Sequence, residues 1–428
     1  MEGAMSLHPQ LSAGSRGRSV RVASPVLTLV LVLLLSFLAG CADTADGPSV
    51  TVADSAGVRV LTAHGEGWGP ADAWRLELDL EVGAIEGSDA FGRVLDVAPR
   101  RGGGFWVVDA QDRRVRGFDE EGGEVLAFGR AGMGPGEFKS AGPVGEDPEG
   151  RLTIGGRMPV ELYRFDASGE PLDTRVVPPE RYRDLPEGEG ANRPPLGPTM
   201  AEWRFASDGS PFLQAVTLDA PVEDIVRSGV LLRLETPARP GVKFAAWETP
   251  ALTGGPGGEM HLLQPAPSWS PLADGGVWFT GGSSYDLRRY DADGGLTTIL
   301  RRPDGRIDLT DDLADRFLEA LRDDADTPGM RAMLERAVFP DSLPATVALW
   351  ASEGDGHLWV GVIDPELPLR REGPNALEVF APDGSYVGRL PIPEGLRPTR
   401  ITSRHLYGVW RDELDVDYAR RYRIVRPS

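Results

Sequence analysis

Three landmarks recur in fixed order along this chain, and copies of one small unit that cannot bury itself must stack on one another. The first is a small or polar residue followed by a short apolar run. It occurs at Gly104-Phe-Trp-Val107, Arg151-Leu-Thr-Ile154, Ser210-Pro-Phe-Leu213, Gly276-Val-Trp-Phe279, His357-Leu-Trp-Val360 and His405-Leu-Tyr407. Four copies follow Glu-Gly or Asp-Gly pairs, at 149–150, 208–209, 274–275 and 355–356, which favour tight hairpins because glycine tolerates positive φ. The second landmark is an alternating strand that ends in an aromatic residue and, in most copies, Asp, with Gly soon after. Phe118-Asp119 with Gly122, Phe165-Asp166 with Gly169, and Tyr290-Asp291 with Gly294 are clear copies, and Phe380 with Asp383-Gly384 continues the series. Leu231–Leu234 and Arg421–Ile424 are degenerate copies. The third landmark is a further strand, as at Glu124–Phe128 and Leu296–Leu300.

With the strand before each turn, the unit has four antiparallel strands, and the shortest units repeat every 47 or 48 residues. One such sheet leaves both faces apolar, so six of them are expected to stand around an axis. The expected fold is therefore all-β, a six-bladed β-propeller of four-stranded antiparallel blades. The sixth unit runs out of chain after Ile424, one strand short, while Trp74–Val82 alternates without a blade of its own. This N-terminal strand is expected beside residues 418–426 in the C-terminal blade, closing the ring. The alternative is a free arm with exposed strand edges.

Residues 303–343 break the strand pattern. Thr310-Asp-Asp-Leu313 has an N-cap and an acidic first turn, and Leu313, Phe317, Leu318 and Leu321 share a helical face. Thr327-Pro328-Gly329 interrupts, and a second helix is predicted from Met330 to Val338. This helical-hairpin insertion reads either as a packed surface element or as a lid. Residues 177–200 read as a loop.

The N-terminus carries Arg16, Arg18 and Arg21, then an apolar run from Val26 to Ala39, too short to span a bilayer but of signal-peptide length. Leu38-Ala39-Gly40-Cys41 resembles the lipobox of bacterial lipoproteins, which implies cleavage before Cys41 and diacylglycerol on its thiol. An ordinary secretory signal is the alternative. Cys41 is the only cysteine, so an intrachain disulfide is excluded. The division is thus a signal peptide at 1–40, a lipidated tether at 41–56 and the propeller at 57–428. Ala42, in place of Asp, resembles the default pattern for the outer membrane where two membranes exist. The expected location is the cell envelope, held to the membrane by lipid.

Without residues 1–40, which hold three Arg and one Glu, the chain has 42 basic and 64 acidic residues, a net charge of −22. Such a surface repels nucleic acid, so no nucleic-acid partner is expected. A monomer is expected.

Gly132-Met-Gly-Pro-Gly-Glu-Phe138, after Asp109, Arg114-Val115 and Phe118-Asp119, resembles the NHL repeat and its six-bladed relatives among bacterial lipoproteins. The match is strong over residues 93–172, moderate over 269–300 and 345–390, and weak elsewhere. The resemblance implies a Gly-Pro-Gly-Glu-Phe link between blades. Some six-bladed relatives are lactonases or other hydrolases with axial calcium, held by carboxylate and Asn ligands at the starts of inner strands.

Those positions here read Phe91-Gly-Arg93, Pro143-Val144, Trp203-Arg204, Trp269-Ser270, Ala345-Thr346 and Thr399-Arg400. Arginine where carboxylate is needed argues against a metal, and no cofactor is expected. The arginines either pair with nearby acids or form an anion or carbohydrate site. In the second case Arg93, Arg204 and Arg400 would hydrogen-bond the ligand, and Trp203 or Trp269 would stack on it. No catalytic motif is present; His357 and His405 sit at hairpin turns. The expected function is a binding or protein-interaction scaffold, for an anionic or carbohydrate ligand or a protein partner. The alternative is a lactonase-like hydrolase or lyase of the envelope.

Overall fold

The computed structural model describes residues 49–182, 200–219, 226–237, 239–250, 259–303, 306–323, 327–370 and 373–427. Leu38, Ala39, Gly40, Cys41 and the whole signal segment lie outside the described residues.

Hydrogen-bond pairing yields six blades of four antiparallel strands, each in the order inner to outer. The inner strands are Val94–Pro99, Val144–Glu146, Met200–Phe205, Ser268–Pro271, Ala348–Ala351 and Leu396–Ile401, numbered here as blades 1 to 6. Each inner strand contacts the next, and the last contacts the first, so they form a ring. The chain is a six-bladed β-propeller.

Strand alternation explains why the sheets stand this way. Each blade sends side chains to both faces, and every interface between neighbours holds its own apolar cluster. Between blades 1 and 2 it contains Trp106, Phe138, Ile154 and Phe165; between 2 and 3, Leu162, Trp203 and Leu213. Phe212 and Trp269 fill the next, then Leu287 with Phe380, Trp359 with Tyr422, and Phe105 with Val409. The recurring Asp and Gly hold the outer turns: Asp119, Asp166 and Asp291 each accept two backbone N–H groups, while Gly122, Gly169 and Gly294 take positive φ. Gly134–Phe138 links blades 1 and 2, its Glu137 carboxylate accepting from the N–H groups of Met133 and Gly134.

Closure occurs as expected. Strand Arg75–Val82 pairs with Asp417–Val425 as the outer strand of blade 6, with Leu78 opposite Tyr422. Two expectations change. The C-terminal part of the expected tether is a strand, β1 (Ser49–Ser55), in a hairpin with β2 (Val58–His64). β2 then adds in parallel to the outer strand of blade 4, Leu296–Arg301, making that sheet six-stranded. The insertion forms helices α1 (Asp311–Asp323) and α2 (Pro328–Leu334), so the second helix ends before Val338. Ala337–Val338 instead pairs with Met260–His261, which satisfies backbone groups a longer helix would have used itself. Leu313 and Phe317 of α1 pack on Leu343 and Ile363. Among the described residues no helix is long and apolar enough to cross a membrane.

The strand order gives the ring two distinct faces. Inner strands run toward the turns at 100–104, 206–210 and 352–357, and the outer strands run back. The helical insertion and the connections between blades therefore lie on the opposite face.

Candidate functional site

The C-terminal ends of the inner strands of blades 3 to 6 surround a funnel of about 370 Å³. Its polar walls include Arg204, Ser270, Glu353 and Arg400, and Trp350 also lines it. Arg204 and Arg400 are three blades apart in a ring of six, so they approach from opposite sides. Their registers correspond: Arg204 lies opposite Phe212 and Arg400 opposite Tyr407, the same position in the repeated second strand.

Arg204 reaches past the neighbouring blade. Its Nη1 donates to the carbonyl of Leu349 in blade 5 at 2.9 Å and to that of Trp269 in blade 4. Glu202, two residues earlier on the same strand face, pairs with it at 3.1 Å. Burial lowers the guanidinium's pKa, Glu202 opposes the shift and the charge of Arg400 adds to it. A guanidinium remains charged even so.

Arg400 donates through Nη2 to Asp96 at 3.2 Å and through Nη1 to the carbonyl of Thr399 at 2.9 Å. Asp96, buried in blade 1, also accepts the backbone N–H of Val144 in blade 2 at 3.1 Å. One carboxylate thus ties blades 1, 2 and 6 and orients Arg400. These partners take two of the five donors a guanidinium carries.

Glu353 comes from the turn after the inner strand of blade 5. Between paired residues that turn has six residues (352–357), against five in blades 1 to 4. The extra residue lets Glu353 bridge to blade 6, its N–H meeting the carbonyl of Ile401 and its own carbonyl accepting from Ser403 at 2.9 Å. Its side chain is open to the funnel but ringed by protein. That crowding raises the carboxyl above the ordinary glutamate value, while Arg400 and Arg101 pull it back down. On the rim, Arg289 pairs with Asp274 at 2.7 Å.

Of the residues singled out by sequence, the structure brings Arg204 and Arg400 together. Arg93 lies on the opposite face, half-exposed and 3.9 Å from Asp417. The tryptophans are a correction. Trp203 and Trp269 are 1% and 0% exposed, so neither can stack on a ligand. Trp203 packs on Gly155 of blade 2 and donates to the carbonyl of Gly156 at 2.8 Å; Trp269 stacks on Phe212. Neighbours on a strand point to opposite faces, so Trp203 fills the interface between blades while Arg204 faces the funnel. Arg93 stands at the start of its inner strand as expected, whereas Trp203, Arg204 and Arg400 lie toward the ends of theirs. Sequence reasoning missed Asp96, which carries no local signal, and Glu353, whose signal was the longer turn. Among the described residues no group of three His, Cys, Asp or Glu could hold a metal ion.

No family model matches this sequence, and no curated protein matches it. Among solved structures, an exported protein of Bacteroides fragilis is similar over 86% of this chain and 100% of its own, at 10% identity and a TM-score of 0.47. Streptogramin B lyase is similar over 82% of this chain and 98% of its own, at 12% identity and 0.40. Regucalcin of Agrobacterium tumefaciens, a calcium-binding protein, is similar over 82% and 96%, at 12% identity and 0.40.

Proposed function

We propose that this chain is an envelope lipoprotein, anchored through Cys41, related to the NHL-like propellers and working as a binding scaffold whose funnel takes a small anion. The ligand class is a carboxylate- or phosphate-bearing molecule, acidic sugars included. One observation carries the reading: two guanidiniums on opposing blades converge on one cavity, with donors to spare on Arg400. With both tryptophans buried, recognition by ring stacking gives way to recognition by charge.

Glu353 sets the sign of the pH response. Ionised, it opposes an incoming anion; protonated, it can donate a hydrogen bond to it. Binding therefore takes up a proton, and affinity rises as pH falls through the raised pKa of Glu353. The test is a thermal-shift and titration panel of citrate, inorganic phosphate and galacturonate. At least one should bind, and Arg400→Gln should weaken it roughly ten- to a hundredfold, the value of a charge-assisted hydrogen bond. Glu353→Gln should flatten the pH dependence. If no anion shifts the melting temperature, the reading falls.

A second reading, a hydrolase or lyase, draws on the same Glu353, since a carboxyl held above its usual range can serve as a general acid. Under it, Glu353→Gln abolishes lactone turnover while binding persists.

A further inference from the structure

We propose that the propeller rests on the bilayer by the face that bears the helical insertion, so that the funnel opens away from the membrane. This rests on the reading of Cys41 as lipidated.

The first observation is where the chain leaves the ring. β2 runs parallel to the outer strand of blade 4, with Thr62 beside Arg301, and β1 runs back against β2 with Ser49 beside His64. Ser49 therefore stands at the level where the chain departs into the insertion, on the face opposite the funnel. Eight peptide steps separate Cys41 from Ser49, a reach of at most roughly 29 Å. β1 itself, seven residues long, covers about 20 Å from one face to the other. An anchor on the funnel side would use most of its reach in climbing back along the rim.

The second observation is independent. Among the described residues, the large apolar side chains left exposed outside strands all occur on this same face. Ile85 and Met133 lie in the connections entering blades 1 and 2, Met158 and Leu414 in the turns between second and third strands of blades 2 and 6, and Met330 and Met333 on α2. Met133 is 83% exposed and Leu414 71%. Among the described residues, none of the large apolar side chains left exposed lies in a turn on the funnel face. Apolar side chains spread over one face and missing from the turns of the other give that face the greater affinity for an apolar phase. The anchor places a bilayer there.

Charge selects the lipid. Carboxylates and arginines are mixed around these side chains: Glu86 and Asp89 lie near Ile85 and Glu413 and Asp415 beside Leu414, while Arg157 adjoins Met158 and Arg331 lies between Met330 and Met333. The net charge of −22 without residues 1–40 decides: a zwitterionic surface fits and an anionic one repels.

The lone native cysteine makes the experiment direct, because lipidation consumes its thiol. The full-length protein, purified from membranes, is placed in phosphatidylethanolamine–phosphatidylcholine vesicles containing nitroxide-labelled lipid. Single labels are introduced at Met133→Cys and Leu414→Cys on one face, and at Glu121→Cys and Asp293→Cys in turns on the funnel face. The first pair should be quenched at least threefold more than the second, and phosphatidylglycerol in the vesicles should narrow the difference. Equal quenching on both faces, stronger quenching on the funnel face, or none on either overturns the orientation, the last pointing to a protein partner on the apolar face. Mass spectrometry of the N-terminal peptide and flotation with the vesicles separate the two claims. Protein that lacks lipid on Cys41 and does not float overturns the anchor reading and the orientation with it; protein that floats with the wrong face quenched overturns the orientation alone.

Discussion

A single carbon atom at Gly155 would meet the Trp203 ring at 2.3 Å, closer than side-chain contacts allow. Trp203 is fully buried between blades 2 and 3 and has nowhere to retreat. Gly155→Ala should therefore destabilise the protein by about 1–3 kcal/mol, read from the denaturant midpoint. Buried phenols make a second local prediction. Burial, with the Glu161 hydrogen bond, raises Tyr163 to about 12, and burial raises Tyr407 to about 12 against the opposing charge of Arg421. Unfolded tyrosines lose their protons near pH 10. The folded state thus holds more protons between pH 10 and pH 12, so stability is intact below pH 10 and falls across that window. Unfolding midpoints from pH 9 to 12 check it, and Tyr407→Phe should reduce the fall. Local sequence showed that these residues are apolar strand members. It does not show which face each meets, and for that reason the sequence alone leaves Trp203 open as a ligand platform.

The closing strand shows which contacts hold an element. Arg421 pairs with Asp79 at 2.6 Å and Arg423 with Glu77 at 2.8 Å across Arg75–Val82 and its partner. The Arg423–Glu77 pair is exposed, and such pairs contribute little. Tyr422 and Ile424, in contrast, are buried in the cluster shared with blade 5, with Leu76 packed against it. Ile424→Ala should cost about 2–5 kcal/mol, and Arg423→Gln less than about 0.5 kcal/mol, compared by chemical denaturation. This latch was legible because an alternating strand without a blade and a blade without its last strand must find each other. The β1–β2 hairpin was not legible. Strand β1 is exposed, and the parallel partner of β2, Leu296–Arg301, is far away in the chain.

Six interfaces with six apolar clusters make a ring in which no blade is covered without both neighbours. Residues 49–428 should accordingly melt in one transition, with calorimetric and van't Hoff enthalpies in agreement. With arginine at the axis and no three-acid cluster among the described residues, a chelator should leave that transition unmoved. Stoichiometric calcium in the purified protein would falsify this and favour the enzyme reading over the binding one.

Repeat spacing, alternation and turn chemistry, all local, determined the blade, the number of blades and the strand that closes them, because a half-covered sheet has few ways to bury itself. The tertiary structure alone decided the funnel. Arg204 and Arg400 are nearly two hundred residues apart and share it only because a six-fold ring sets blades 3 and 6 opposite. The carboxylate that orients Arg400 comes from the first blade, across the closure, and no local pattern encodes a distance across an axis.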